Sequence, residues 1–101
     1  MVKYTLSLGR NIGTTGTVTD IALSVYLDSV SRRFPSFSVM HGTGYWQGKP
    51  EATVYLTIFT DDTSERHTDI LELARLYNAS FNQDCVLVEK SNPVAWFEST
   101  R

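Results

Sequence analysis

Glu51 and Asp84 are carboxylates that stand where a polar turn gives way to a strongly β-prone run. Glu51 precedes Ala52 to Thr60, directly after a turn-rich stretch that holds Tyr45 and Trp46. Asp84 follows Gln83 and leads into Cys85-Val86-Leu87-Val88. Chemistry collects at such junctions because a rigid element fixes the side chain while the turn leaves it accessible. Two strand starts can lie at the same end of one sheet, or meet across a subunit boundary. Either arrangement would join two carboxylates with Tyr45 or Trp46 in one pocket. By position alone each of these residues is an ordinary strand-end or turn residue.

Other patterns are weaker. Gly9-Arg10-Asn11-Ile12-Gly13-Thr14-Thr15-Gly16-Thr17 brings glycines together before a helix, as phosphate-binding loops do. It lacks the Gly-Lys-Ser/Thr ending of a P-loop and the spacing of a dinucleotide fingerprint, and reads as a connector that can lie over an active site. His41 and His67 have no second His or Cys at ligand spacing, so no metal is expected. Asp61, Asp62 and Glu65 suit a helix start, and Arg32-Arg33 a helix end. Cys85, the single cysteine, is flanked by Asp84 and Val86 with Leu87 beyond, and is expected to be a buried, inert thiol.

These residues need elements to position them. Val2, Tyr4, Leu6 and Leu8 alternate with polar residues, the period of a half-buried strand. Thr17 or Thr19 caps a helix from about Asp20 to Phe34, with the stripe Leu23, Leu27, Val30 and Phe34, and Pro35 stops it. A short strand is expected at Ser36 to His41, followed by the turn-rich stretch Gly42 to Glu51. Ala52 to Thr60 makes the central strand. Its second face, Thr53, Tyr55, Thr57 and Phe59, is too apolar for open water and calls for a neighbouring chain. Asp61 to Ser64 turns into a second helix with Ile70, Ala74, Tyr77 and Phe81 inward. A fourth strand is expected from Asp84 to about Glu89, and Val94 to Phe97 as a short closing strand. The order β-α-β-β-α-β is that of ferredoxin-like α+β domains: an antiparallel sheet with two helices on one face.

A chain of 101 residues accommodates one domain, here residues 1–101. A net charge of −2 offers nucleic acid no basic face. No apolar run is long enough for a membrane span, and the N-terminal residues lack a signal-peptide pattern. A cytoplasmic protein is expected.

From Ile70 to Ser91 the sequence resembles the small phage enzymes that degrade S-adenosylmethionine, the S-adenosylmethionine lyases, formerly described as hydrolases. The residues that carry the likeness are Leu71, Ala74-Arg75-Leu76, Gln83-Asp84-Cys85-Val86-Leu87-Val88 and Lys90-Ser91. Upstream, Gly44, an aromatic at Tyr45 or Trp46, and Glu51 before a strand fit the same pattern with a different loop length.

The resemblance implies a PII-type ferredoxin-like core, a homotrimer with substrate between subunits, and no cofactor. It implies a reaction in which the carboxylate of S-adenosylmethionine displaces its own thioether, giving methylthioadenosine and homoserine lactone. In a phage, acting in the host cytoplasm, that would counter host defences that depend on the substrate. It assigns Glu51 and Asp84 to active-site acidic positions, Gln83 to a neighbouring polar contact, and Tyr45 or Trp46 to the aromatic slot. A carboxylate pressed against sulfur would stabilise the cation being consumed, so Glu51 and Asp84 are expected to hold the ribose, the amino group or an orienting hydroxyl. Two other functions suit the same fold. One is a PII-like trimer that binds an adenine nucleotide or effector without catalysis, and the other a module whose aromatic sheet face binds another protein.

Overall fold

The computed structural model describes residues 1–100. Strand β1 (Val2–Gly9) buries Val2, Tyr4, Leu6 and Leu8 and turns Lys3, Thr5 and Ser7 to the other face. The next segment, read from sequence as a loop, folds into a small hairpin, β2 (Asn11–Ile12) with β3 (Gly16–Thr17). The Arg10 guanidinium closes its base by donating to the Val18 carbonyl, at 3.1 Å through Nε and 2.7 Å through Nη2.

Helix α1 (Asp20–Arg33) starts at Thr19, whose hydroxyl accepts from the Ala22 amide at 3.1 Å, and ends at Phe34, before Pro35. Its inner stripe is Leu23, Tyr26 and Val30, with Phe34 buried beyond it and Leu27 only half-buried. Tyr26 takes the inner position because its hydroxyl finds a buried acceptor, the Leu73 carbonyl at 2.8 Å.

The turn-rich reading of Gly42 to Glu51 is corrected. Strand β4 (Ser38–Trp46) runs through both glycines, and β5 (Lys49–Thr60) restarts after a two-residue turn. Gln47 and Gly48 form that turn with φ of 51° and 78°, the left-handed pair that matches strand twist in tight hairpins. Gly42 and Gly44 serve close approach rather than turning. A Cβ would lie 3.0 Å from the Tyr55 ring at Gly42 and 2.7 Å from Thr53 Oγ1 at Gly44.

Helix α2 (Ser64–Phe81) is capped by Thr63 and closed by Asn82 at φ 51°. It buries Ile70, Leu73, Ala74 and Tyr77, with Phe81 half-buried. Strand β6 (Leu87–Ser91) begins three residues later than expected from Asp84, and the Val94 to Phe97 segment is not a strand. The polar Gln83-Asp84 pair stays in the connection, where it follows the helix cap and does not join the ladder.

The four long strands form an antiparallel sheet in the order β4-β5-β1-β6, and the small hairpin stands apart from it. This is the ferredoxin-like α+β topology. Both helices contribute side chains to the core with the inward faces of β1 and β5. On the open face, Tyr55 and Phe59 are half-buried and Met40 is exposed. Among the described residues no helix is long and apolar enough to cross a membrane.

Candidate active site

Register decides what faces what. Gly44 stands opposite Glu51, Trp46 opposite Lys49, and Gly9 opposite Thr53. Paired residues of antiparallel strands share a face and neighbours along a strand alternate. Trp46, Glu51, Ser7 and Gly9 therefore lie on the open face, and Tyr45 on the other. The connection from α2 to β6 adds Gln83, Asp84 and Cys85 beside them. Together with Gln47 these residues line a cleft of about 340 Å³.

Four of the five side chains marked in the sequence thus border one cleft: Trp46, Glu51, Gln83 and Asp84. Tyr45 does not line it and is 71% exposed. Cys85 lines the cleft and is exposed, which corrects the expectation of a buried thiol. Its neighbours Val86 and Leu87 suggested a core strand, but Cys85 lies before the ladder begins.

Glu51 is held tightly. Its Oε2 accepts the Asn11 amide at 2.7 Å, and its own carbonyl accepts from the Thr53 hydroxyl at 3.0 Å. The carboxylate lies across Gly9, where a Cβ would approach within 2.7–2.8 Å of its carboxylate atoms. Only glycine leaves that room. Gln83 grips the same loop from the other side, its Nε2 donating to the Asn11 carbonyl at 2.6 Å and to the Phe81 carbonyl at 3.1 Å.

Two residues near the cleft escaped sequence reasoning. Tyr77, read only as a core residue, donates its hydroxyl to the Gly9 carbonyl at 2.6 Å. Burial is the main reason its phenol is pushed up to about 12, with Glu51 adding to the rise and Arg10 opposing it. Arg10 donates its backbone amide to the Ala52 carbonyl at 2.9 Å and pairs with Asp20 at 2.8 Å. A helix position carrying tyrosine where leucine would pack is the only sequence signal for the first. The second carried none.

The Trp46 indole Nε1 is buried without a hydrogen-bond partner, over Gly44. Its ring thus meets the cleft as an aromatic surface rather than as a donor. Among the described residues no group of three His, Cys, Asp or Glu side chains is placed to hold a metal ion. His41 is exposed, and His67 Nδ1 lies 3.1 Å from the Tyr4 hydroxyl, away from the cleft.

The chain is thus an α+β sandwich with an acidic, aromatic-walled cleft at one end of its open sheet face. The chain belongs to the family described as a protein of unknown function, DUF3574, which matches residues 3–97. No curated protein matches it. Among solved structures, it is similar to a phage SAM lyase in the apo state. The TM-score is 0.70 at 21% identity, covering 96% of this chain and 92% of that one. It is also similar to a phage SAM lyase in complex with S-methyl-5′-thioadenosine. There the TM-score is 0.63 at 24% identity, covering 89% and 79%. At these identities the likeness establishes the shared fold.

Proposed function

We propose that this protein is a lyase acting on S-adenosylmethionine, with the cleft bounded by Trp46, Glu51, Gln83 and Asp84 as its active site. The observation that carries this reading is the convergence of those four side chains in one cleft. They came from distant points in the sequence, two of them within a stretch that resembles the lyases. The fold shared with a lyase solved with S-methyl-5′-thioadenosine supports it.

The reaction proposed is a single displacement within the substrate. An oxygen of its carboxylate forms a bond to the γ-carbon. The bond from that carbon to sulfur breaks, and its electron pair leaves with sulfur. The products are S-methyl-5′-thioadenosine and homoserine lactone. Atoms and charge balance: a carboxylate and a sulfonium become a neutral ester and a neutral thioether, and no proton moves. Water stabilises the separated charges more than the transition state, so a drier cleft favours reaction. Holding the chain in its cyclising conformer adds the advantage of an intramolecular step.

The residues bind and orient. Trp46 offers an aromatic wall to the adenine or the sulfonium. Glu51 and Asp84 hold the amino group or ribose hydroxyls, as charge-assisted acceptors, and Gln83 lines the site and fixes its loop. The cleft is at the small end of ligand sites, which run from roughly 300 to 1,000 Å³. A homotrimer that covers the open face and Tyr55 and Phe59 would supply the missing walls. The proposed setting is the cytoplasm of a phage-infected host, where the reaction would deplete the substrate of host defence systems.

Incubation with S-adenosylmethionine in oxygen-18 water, followed by mass spectrometry, tests the reading. Methylthioadenosine with homoserine lactone supports it. Homoserine labelled at the γ-hydroxyl means hydrolysis. Binding without product means an adenine-nucleotide or effector-binding module.

A further inference from the structure

The Tyr77 hydroxyl does not line the cleft, yet it holds the start of the short backbone segment that fixes Glu51. Its ring is fully buried, edge-on to Tyr26 at 5.0 Å between centroids and to Phe81 at 4.8 Å. From this packed ring the O–H donates to the Gly9 carbonyl at 2.6 Å. Gly9 is the residue over which the Glu51 carboxylate lies. The same peptide is pinned at its other side by the Arg10 amide on the Ala52 carbonyl, and the next peptide donates the Asn11 amide to Glu51 Oε2 at 2.7 Å. Three consecutive residues are thus tied at three points, and the last tie sets where the carboxylate sits.

We propose that Tyr77 is a positioning residue for Glu51, acting through the Gly9–Asn11 backbone, with Gly9 as the gap that lets the carboxylate reach the Asn11 amide. Its kinetic consequence rests on the lyase reading. Its geometric consequence does not.

The test uses the full chain, nitrogen-15 labelled. In the unaltered protein the Asn11 amide proton should resonate downfield because of its short bond to the Glu51 carboxylate. Tyr77→Phe keeps the ring and removes only the donor. With the fold verified by circular dichroism, the Asn11 resonance should move upfield. Turnover should fall about 2- to 10-fold, the ratio expected for one lost neutral hydrogen bond.

Glu51→Gln combined with Tyr77→Phe should be no slower than Glu51→Gln alone, since both act on one carboxylate. Gly9→Ala should reproduce both the spectral and the kinetic change with Tyr77 intact, and stands in should Tyr77→Phe fail to fold. An Asn11 resonance unmoved by Tyr77→Phe overturns the proposal, as does a multiplicative loss in the double variant. If the unaltered protein does not turn over S-adenosylmethionine, the lyase reading fails while the Asn11 amide shift in Tyr77→Phe still decides the coupling.

Discussion

Glu51 and Gln83 hold opposite ends of the same residue: one accepts the Asn11 amide and the other donates to the Asn11 carbonyl. Side chains from β5 and from the connection after α2 thus share one backbone anchor in the hairpin segment. A carboxylate and an amide that line one cleft are thereby kept in register by a residue that contributes only its backbone. Neither side chain is free to swing toward solvent without breaking a short bond.

That anchoring sets the first expectation. Glu51→Gln preserves shape and can still accept from Asn11, but loses the charge that strengthens the bond and any contact with the substrate's amino group. A hydrogen bond to a charged group is worth about 1.5–3 kcal/mol, or about 10- to 150-fold in rate. The measurement is the initial rate of methylthioadenosine formation, with circular dichroism to confirm the fold. Asp84→Asn should also slow turnover. Full activity in both variants would move the site elsewhere, first to the hairpin segment.

The aromatic pair should separate cleanly. Tyr45 lies on the opposite sheet face and is largely exposed, so Tyr45→Phe should leave affinity and rate within about twofold, as surface changes do. Trp46→Phe narrows the wall of the cleft and should weaken methylthioadenosine binding in calorimetry. It should cost little stability from lost hydrogen bonding, because the indole N–H has no partner to lose. Equal binding by the two variants would refute the assignment of Trp46 to the wall.

Much of this arrangement was legible before the structure, and the parts that were not share a cause. Strand β1 and helix α2 could be read because burial follows a simple period in each. Glu51, Gln83 and Asp84 stood out as polar residues at strand starts. Tyr45 and Trp46 could not be separated, because one step of strand parity decides between them. That parity is set by the Gln47-Gly48 turn, hidden by glycines that looked like turn residues. Gly42 and Gly44 are there for rings and hydroxyls crossing the sheet, a reason that exists only once β4 and β5 are paired. Tyr77 was invisible as a site residue because its ring satisfies the helix pattern and only its hydroxyl departs from it.

The exposed Cys85 gives a direct probe of the cleft. Its thiol should react with a disulfide reagent in the native protein without denaturant, since it is exposed and lies before the β6 ladder. Methylthioadenosine in saturating amount should slow that reaction if it occupies the cleft. Cys85→Ala should change the melting temperature little, because no buried cavity is created. A thiol that reacts only after unfolding would contradict this placement.

Alkaline pH should unfold the protein in a defined window. Burial pushes the Tyr77 phenol from 10.0 up to about 12. Tyr26 is raised as well, by burial first and by Tyr77 beside it. A raised phenol keeps its proton in the folded chain while the unfolded chain releases it above pH 10. The stability these groups contribute is therefore fully present below pH 10 and is lost as pH rises from 10 toward 12 and beyond. For Tyr77 alone the full loss should be on the order of 3 kcal/mol, since every tenfold difference in proton affinity between the folded and unfolded chain corresponds to about 1.4 kcal/mol. Lys90 is raised by its hydrogen bond to Asp62 and contributes with the same sign. That pair is exposed, so salt should weaken its share and leave the buried phenols' share intact. Urea midpoints measured at pH 9, 10 and 11 in high salt should fall above pH 10, while tyrosinate absorbance rises in a late, cooperative step. Tyr77→Phe, though less stable at neutral pH, should show a shallower fall. A slope unchanged by that substitution would mean Tyr77 ionises as freely in the folded chain as in the unfolded one.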